Sequence, residues 1–252
     1  MVNIDLRLGD CFEGLKSIPD HSIDCIVTDP PYGNTNCDFD CIVDEPTLLK
    51  ELKRVIKPNR AVCIFCMLRM AVRLINIDPK WFRYEWIWAK NRGTGFITAN
   101  KMPMRAHEMI LVFSEKQTLY NPQFTYGKPY RTKGRSSCVH YGSALRDRTD
   151  NPDGRRYPLD VIQFSNVNQA GVNVQPTQKP ADLCEYLIRT YSNPGDVILD
   201  PFAGSGTTAV AAINSDRSFI GWERDEGYYN AAIKRIETAK ITKAETLPID
   251  YD

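Results

Sequence analysis

The chain has 252 residues, of which 42% are hydrophobic and 10% aromatic, a composition that supports one large α/β domain or two small ones with packed cores. No apolar run approaches the roughly 20 residues of a membrane-spanning helix and the chain opens without a signal segment, so we expect a cytoplasmic protein with no membrane partner. Residues 90–156 contain 13 Lys and Arg against 5 Asp and Glu, whereas the rest of the chain contains 19 against 26. Such a basic segment predicts contact with a polyanion, and a solvated basic loop is the alternative.

The eight cysteines do not form a metal-binding pattern. The closest pairs are Cys63 with Cys66 and Cys37 with Cys41, no second close pair stands at zinc-ribbon distance, and there are only three histidines. Residues three apart on a strand face opposite sides, which separates Cys63 from Cys66 if "AVCIFCM" is a buried strand. We therefore predict free thiols in a reducing compartment and no metal site.

The first half of the chain alternates β-rich runs with a helical run. Strands are predicted over residues 3–9, 23–28, 60–66, 84–90 and 108–114. A helix is predicted over 45–56, because apolar residues recur there on one face and Pro58 follows. From 119 to 174 the periodicity fades into a stretch rich in Gly, Pro, Tyr, Arg and Asn, which is long enough to indicate a functional or disordered segment.

Regular periodicity returns in the second half. Helices are predicted over 181–191, 206–215 and 225–240, and strands over 195–200 and 218–224. Strands that alternate with helices predict a mostly parallel sheet covered on both faces.

The stretch "VILDPFAGSGTTAVAA" reads as a strand, a tight turn and a helix. Gly204, Gly206 and Ala209 match the spacing G-x-G-x-x-A, in which glycines let a ligand approach the start of the helix. Glu223 ends the next strand, where an acid can accept both hydroxyls of a ribose. This pattern indicates an adenosine cofactor. No Lys follows Gly206, which excludes a P-loop, but the spacing alone leaves NAD or a turn without a ligand open.

A second motif, "TDPPYG", follows the predicted strand 23–28. The exocyclic amine of a nucleobase is a poor nucleophile, and acceptors on both of its protons would direct its lone pair at a methyl donor. The Asp29 carboxylate and the Pro30 carbonyl can be those acceptors, and proline holds its carbonyl in place without an unpaired N–H. Tyr32 can stack on a base that has left the duplex. The alternative is a proline turn that caps a strand.

The two motifs together resemble the amino-methyltransferases that use S-adenosylmethionine to methylate N6 of adenine or N4 of cytosine in DNA. The motifs stand in the order of the β group of this family, with "DPPY" first, a basic region next and the glycine turn last. "PTQKP" (176–180) and "MRAHEMILVF" (104–113) are similar to its small phage and prophage adenine methylases. The resemblance implies a circularly permuted Rossmann-like α/β fold, a flipped-out target base and a role in restriction-modification.

The resemblance also implies roles for individual residues. The catalytic set is Asp29, Pro30, Pro31 and Tyr32. The cofactor-binding set is Asp10, Cys11, Asp29, Thr177, Lys179, Asp200, Phe202, Ala203, Gly204, Ser205, Gly206, Thr207, Thr208 and Glu223. Within it, Asp10 pairs with the cofactor's adenine, Glu223 holds the ribose, and Thr177 with Lys179 holds the methionine end. The permutation places the strand that carries Asp10 beside the strand that ends at Glu223.

The predicted organisation has four parts. Residues 1–118 form the catalytic part of one methyltransferase domain, 119–175 a target-recognition insert, 176–240 the cofactor-binding part, and 241–252 a tail. We expect the insert to contact double-stranded DNA through Lys128, Arg131, Lys133, Arg135, Arg146, Arg148, Arg155 and Arg156. A homodimer is left open.

Asp29 favours adenine N6 over cytosine N4, because cytosine-N4 enzymes of this family more often resemble it with Ser in that position. Cytosine C5 methylation needs a cysteine nucleophile, usually after proline, and the chain has no Pro-Cys pair. RNA guanine methylation conflicts with the permuted order and the long basic insert. A relative that binds DNA without catalysis is the alternative from another class, and the intact motifs argue against it.

Overall fold

The computed structural model describes residues 2–32, 43–132, 150–166 and 178–246. Residues of Met1–Asn121 and Asp160–Asp252 form one compact unit, and Pro122–Leu159 form a second. The elements in chain order are β1 (Ile4–Leu8), α1 (Cys11–Leu15), β2 (Ile23–Thr28), α2 (Glu45–Val55), β3 (Ile56–Cys66), α3 (Leu68–Ile77), β4 (Phe82–Thr94), a 3-10 turn (Phe96–Thr98), β5 (Arg105–Phe113), β6 (Thr125–Tyr126), β7 (Tyr130–Arg131), β8 (Asp150–Asn151), β9 (Arg155–Arg156), β10 (Val161–Phe164), α4 (Ala181–Tyr191), β11 (Val197–Asp200), α5 (Thr207–Asn214), β12 (Ser218–Glu223) and α6 (Glu226–Thr246).

The first unit is built on an eight-stranded sheet in the order β1-β12-β11-β2-β3-β5-β4-β10. All neighbouring strands pair in parallel except that β5 is antiparallel to both β3 and β4. Every residue of β2 is buried, as expected for a central strand covered on both faces. The predicted α/β class and mostly parallel sheet are confirmed.

Helices cover both faces of this sheet. The apolar side chains of α1, α2 and α3 form one core with one face, and those of α4, α5 and α6 form a second core with the other. Cys63 and Cys66 take opposite faces of β3, one in each core, as the alternation of a strand requires. Because β2, β11 and β12 are parallel neighbours, their carboxyl ends meet at one edge of the sheet, where open α/β sheets bind their ligands.

The two ends of the chain are neighbours in the sheet. β1 pairs in parallel with β12, from Ile4 opposite Phe219 to Leu8 opposite Glu223, and the Gly9 N–H donates to the Glu223 carbonyl at 2.9 Å. The predicted permuted arrangement, with the strand before Asp10 beside the strand that ends at Glu223, is therefore confirmed.

Several boundaries differ from the sequence-based expectation. Helices α1 and α3 were not predicted, and β3 begins at Ile56, so that Pro58 lies within the strand rather than before it. β10 belongs to the main sheet, beside β4, although its residues fall in the predicted insert 119–175. α6 continues to Thr246, so the predicted tail of 241–252 begins as helix. α3 buries Met70, Ala71 and Leu74 on one face although Leu68 and Val72 are exposed, so its helical pattern was present in the sequence and was overlooked.

The second unit contains two short antiparallel ribbons, β6 with β9 and β7 with β8. Arg156 anchors it: its guanidinium donates to the carbonyls of Gly154 and Lys128 and lies 4.5 Å from the ring centroid of Tyr130. The Arg155 guanidinium packs similarly on Phe124, at 4.6 Å. Among the described residues of this small unit, stacked arginines and aromatic rings supply the packing.

The described cysteines, Cys11, Cys25, Cys63, Cys66 and Cys184, are free and buried, and Cys37, Cys41 and Cys138 lie outside the described residues. Within the same described ranges, no cluster of His, Cys, Asp or Glu could hold a metal ion. Nor does any helix there have the length and apolar content needed to cross a membrane.

Candidate active site

The "DPPY" motif lies where β2 ends at the carboxyl edge of the sheet. The Tyr32 hydroxyl donates to Oδ1 of Asp29 at 2.5 Å, and the Lys179 ammonium lies 2.5 Å from Oδ2. Lys179 is only 8% exposed, and its Nζ is 5.6 Å from the ring centroid of Tyr32. Each carboxylate oxygen has a second lone pair, so Asp29 can accept a further hydrogen bond from a substrate.

Two more charged side chains extend this contact into a buried row. Oε2 of Glu108, on β5, lies 3.4 Å from Lys179 Nζ, and its Oε1 accepts a short hydrogen bond from Lys90 on β4. The row therefore reads Lys90, Glu108, Lys179, Asp29, and its charges alternate in sign. Glu108 Oε2 is buried and makes no well-aligned hydrogen bond of its own. A buried carboxylate oxygen in this state keeps capacity for a donor.

Burial and the charges of neighbouring members shift the pKa values of the side chains in this row. Burial raises the pKa of Asp29, and the negative charge of Glu108 adds to that rise, while Lys179 opposes it. Burial also acts to raise the pKa of Glu108, but Lys179 and Lys90 outweigh it and hold that pKa below its usual range. Burial acts to lower the pKa of Lys179, yet its two acidic neighbours raise it. Lys179 and Glu108 thus favour each other's charged forms, whereas burial and the charge of Glu108 disfavour the ionised form of Asp29.

A cleft of about 470 Å³ opens beside Glu108. Its walls come from the junction of β3 with α3 and from the start of β5, and include Cys66, Met67, Arg105 and Met109. Sulfur-containing and apolar side chains form much of this wall, and charged groups stand at its rim. Such a lining suits a flat, largely apolar ring with a few polar atoms on its edge.

The glycine turn between β11 and α5 approaches the same edge. Gly204 and Gly206 have φ of +52° and +76°, in the left-handed region that favours glycine. A Cβ on Gly206 would stand 2.9 Å from the Cβ of Ala232 on α6, so the turn is also closely packed from behind. Gly206 caps α5 without a side-chain hydrogen bond, which leaves backbone N–H groups at the start of this helix for a ligand.

Asp200 connects the turn to the "DPPY" strand. Its Oδ1 accepts from the Thr28 hydroxyl at 2.8 Å and from the Phe202 N–H at 3.1 Å, and its Oδ2 accepts from Thr208 at 2.7 Å. Burial raises the pKa of Asp200 to about 6 despite these donors. Because Thr28 precedes Asp29, this carboxylate fixes the position of the reacting strand end relative to the turn. Asp200 is buried, and its hydrogen bonds join the end of β2 to the turn, so it supports the predicted cofactor site by holding these two segments together.

The predicted adenosine acids lie where the chain ends meet. Asp10 caps α1, with Oδ1 accepting from the N–H groups of Phe12 and Glu13, and its side chain is exposed. Oε1 of Glu223 accepts from the Asp225 N–H at 2.7 Å, and Glu223 is half-buried with a pKa raised by burial. The neighbouring Ala203 N–H donates to the Trp222 carbonyl at 2.9 Å, which holds the turn against the end of β12. Two acids and a glycine turn on one edge fit the ribose, adenine and methionine parts of S-adenosylmethionine.

Several other residues of the predicted cofactor-binding set are buried, contact another protein group or lie outside the described residues. The Cys11 side chain packs in a core, and burial raises its pKa to about 12. Ser205, Thr207 and Thr208 are buried. Lys179 contacts Asp29, where we expected it to hold the methionine carboxylate. Thr177 lies outside the described residues.

The predicted DNA-binding residues fall into three groups. Lys128, Arg131 and Arg155 are exposed on the second unit, and Arg131 pairs with Asp150 at 3.1 Å. Arg156 is engaged in holding that unit together. Lys133, Arg135, Arg146 and Arg148 lie outside the described residues.

Three residues with a place in the site were missed from the sequence. Lys90 and Glu108 were taken as strand ends, although each is a charge at the border of a strongly apolar run, which is a recognisable sign of a paired buried charge. Arg235, on α6, donates to the carbonyl of Ser205 and, at 2.9 Å, to its hydroxyl. The helical pattern gave no signal for Arg235, because its partners are a backbone carbonyl and neutral hydroxyls rather than an acidic residue.

Comparison with known proteins agrees with this geometry. The family model described as DNA methylase, of the N6/N4 methyltransferases, matches residues 23–234. The type II methyltransferase M.HpaI of Haemophilus parainfluenzae is 31% identical over 93% of this chain and 75% of its own length. The type II methyltransferase M.HinfI of Haemophilus influenzae is 30% identical over 92% of this chain and 68% of its own length.

Among solved structures, the crystal structure of the M1.HpyAVI–SAM complex is similar, with a TM-score of 0.63 and 25% identity. The match covers 92% of this chain and 99% of that one. The family match spans both the "DPPY" strand end and the glycine turn, which are the two parts that the fold brings together. The chain therefore belongs to the N6/N4 DNA methylase family and is an S-adenosylmethionine-dependent DNA methyltransferase.

Proposed function

We propose that this enzyme methylates N6 of adenine at specific sites in double-stranded DNA. The observation that carries the proposal is the half-buried carboxylate of Asp29, held between Tyr32 and Lys179 at the strand end that Asp200 ties to the glycine turn. A carboxylate accepts a hydrogen bond from an amine proton more strongly than a neutral oxygen does, and Asp in this position favours adenine.

In this proposal the target adenine leaves the duplex and enters the cleft beside Glu108. Asp29 accepts one proton of the N6 amine, and the carbonyl of Pro30 accepts the other. Both contacts direct the nitrogen lone pair towards the glycine turn. Tyr32 stacks on the ring while its hydroxyl keeps Asp29 oriented.

S-adenosylmethionine, when bound, supplies a methyl group on a positively charged sulfur. We assign Glu223 to its ribose, Asp10 to its adenine, and the backbone from Phe202 to Thr208 to its methionine end. A carbon–nitrogen bond forms as the carbon–sulfur bond breaks, and the amine loses one proton. In this proposal Asp29, which accepts the hydrogen bond from the amine, takes that proton, and it must therefore be ionised before the transfer.

We assign DNA contacts to the exposed cations of the second unit, Lys128, Arg131 and Arg155, and to the neighbouring predicted residues of the insert. The prediction that these contacts select the recognition sequence remains a proposal, as does a homodimer. Because its substrate is DNA, we place the enzyme in the cytoplasm, and the type II relatives favour a role in restriction-modification.

Cytosine N4 is the competing target, since the family includes both. The test is to express the protein in cells that lack DNA methylation and to sequence their DNA by a method that detects modified bases. We expect N6-methyladenine within one short recurrent sequence. Modified cytosine in its place would establish the competing function, and an unmodified genome would reject both.

A further inference from the structure

The hairpin that joins β4 to β5 presents an apolar tip, which we define as residues 95–104. Phe96 is 81% exposed and Ile97 96% exposed, the two most exposed large apolar side chains among the described residues. The tip is ordered by its own backbone: Thr98 N–H donates to the Gly95 carbonyl at 3.1 Å and Ala99 N–H to the Phe96 carbonyl at 3.0 Å. Gly95, at φ of +91°, makes the turn possible. The fold thus holds two large apolar side chains in water.

The tip extends from the edge of the sheet that carries the active site. β4 runs parallel to β3 and β2, so its carboxyl end points the same way as the end of β2 at Asp29. Glu108, which contacts Lys179, pairs with Trp88 on β4, and the hairpin continues beyond that level to Thr94 opposite Arg105. Because β4 bulges between Ala89 and Thr94, only three residues of β5 separate Glu108 from Arg105, so at ~3.3 Å each the paired strands reach roughly 10 Å past the level of Glu108 and the tip lies beyond that.

The charge of this hairpin suits a polyanion. Between Trp86 and His107 the sequence has four basic residues and no acidic one. Lys90 is neutralised by Glu108, but Arg92, Lys101 and Arg105 are exposed. Cations that flank an apolar pair favour contact with phosphates on either side of a base step, whereas an apolar protein partner would favour fewer charges.

We propose that Phe96 and Ile97 form a wedge that enters the DNA duplex at the target base pair and fills the space that the extruded base leaves. Apolar side chains placed between base steps unstack them, and the wedge stabilises the open duplex while the base occupies the cleft. This inference rests on the proposed methylation of a flipped-out base. It adds a DNA-contacting element on the first unit to the basic residues that are predicted to contact DNA from the insert.

The experiment compares two duplexes that contain the recognition sequence found by modified-base sequencing. In one, the target base is paired; in the other, it faces an abasic site, so that extrusion is already favoured. The variants are Phe96→Ala combined with Ile97→Ala, Phe96→Leu as the conservative change, and Ile241→Ala as a matched control. Ile241 is an aliphatic residue 60% exposed on α6, outside the site.

Unstacking costs a few kcal/mol per step, so we expect the double Ala variant to lose roughly tenfold to hundredfold in kcat/KM on the paired duplex. On the abasic duplex the loss should shrink to about threefold or less, because little unstacking remains for the wedge to stabilise. Phe96→Leu should retain most of the activity, Ile241→Ala all of it, and cofactor affinity by calorimetry should be unchanged in every variant.

Equal losses on the two duplexes would overturn the wedge, because a general DNA contact or a structural defect lowers both. If the double variant also changed the molar mass by light scattering, the tip would instead be a contact between copies of this chain. A wild-type enzyme that methylates neither duplex would overturn the proposed function, and the wedge with it.

Discussion

At the end of β2, the geometry of the active site depends on buried charges, whereas at the glycine turn it depends on backbone conformation and close packing. Asp29 is positioned by Lys179, which contacts Glu108, and Glu108 in turn pairs with Lys90. Gly206 is positioned by its φ of +76° and by contact with Ala232. Changes of charge should therefore alter chemistry and its pH dependence, and changes of shape should alter cofactor binding.

The largest effect is expected at the charged end. Asp29→Ala removes the acceptor of the amine proton, and we expect single-turnover transfer to fall by roughly 10²- to 10⁴-fold, the range for lost proton-transfer catalysis. Asp29→Asn, which keeps the volume and removes the charge, should fall nearly as far. Cofactor affinity, measured by calorimetry, should stay within about threefold, since Asp29 acts on the target base.

Glu223→Ala provides the reciprocal control. It removes a charge-assisted acceptor for the ribose, worth about 1.5–3 kcal/mol, so cofactor affinity should fall roughly tenfold to hundredfold. Transfer at saturating cofactor should be affected much less. If Asp29→Ala and Glu223→Ala lowered cofactor affinity equally, the division of the site into two parts would be wrong.

The turn gives the next largest effect. Gly206→Ala forces a side chain into the left-handed region, at about 1–2 kcal/mol, and drives its Cβ against Ala232, so cofactor affinity should weaken roughly tenfold. Calorimetry and thermal unfolding measure the two consequences separately.

Gly195→Ala is the matched control, because Gly195 has φ of +88°, meets nothing within 4 Å, and stands at the far end of β11. It should lower the melting temperature similarly while leaving cofactor affinity intact. Weaker cofactor binding in both variants would show that general instability, rather than the shape of the turn, controls affinity.

The third effect is a shift in pH dependence. Asp29 must be ionised to accept the amine proton, so kcat/KM falls as pH drops through its pKa, which burial raises and which Glu108 raises further. Glu108→Gln removes that second contribution, and the acid limb of the pH profile should move to lower pH. Lys179→Met removes the opposing cation and should move it to higher pH.

The control for this experiment is Glu115→Gln, an exposed acid just beyond β5. Its profile should overlay that of the wild type. If the acid limb of the Glu108→Gln profile stayed in place or moved to higher pH, the row Lys90, Glu108, Lys179, Asp29 would not control the ionisation of the Asp29 carboxyl.

The smallest effect concerns one phosphate contact. Arg131 is 66% exposed, and its replacement by Ala should weaken duplex binding modestly and reduce the slope of log affinity against log salt by about 0.9. Lys80→Ala, at an exposed cation between α3 and the amino end of β4, should leave the slope unchanged. An unchanged slope for Arg131→Ala would assign that residue to its pair with Asp150 alone.

Much of this arrangement follows from local sequence pattern. Buried strands such as β2 are near-continuous apolar runs, the glycine turn has a fixed spacing to Glu223, and the order of motifs predicts that β1 and β12 are neighbours. Each of these depends on residues close in sequence or on a topology with few alternatives. The site residues assigned from these motifs remain predictions, although the fold does bring Asp29, Gly206 and Glu223 to one edge.

What could not be predicted depends on long-range side-chain contacts. Lys179 lies 150 residues from Asp29 along the chain, and nothing local shows that it pairs with the catalytic carboxylate rather than with a cofactor. Arg235 holds a backbone carbonyl, which leaves no complementary residue to search for. The edge strand β10 is short and only partly buried, so its pattern resembles that of the irregular segment before it.

The most direct test of the central claim is the chemical identity of the product. Unmethylated DNA is incubated with the purified enzyme and S-adenosylmethionine that carries a deuterated methyl group, then digested to nucleosides and examined by mass spectrometry. We predict labelled N6-methyladenine with wild-type enzyme and essentially none with Asp29→Ala. Labelled N4-methylcytosine, or equal labelling by the two enzymes, would contradict the assignment of Asp29 as the acceptor at adenine N6.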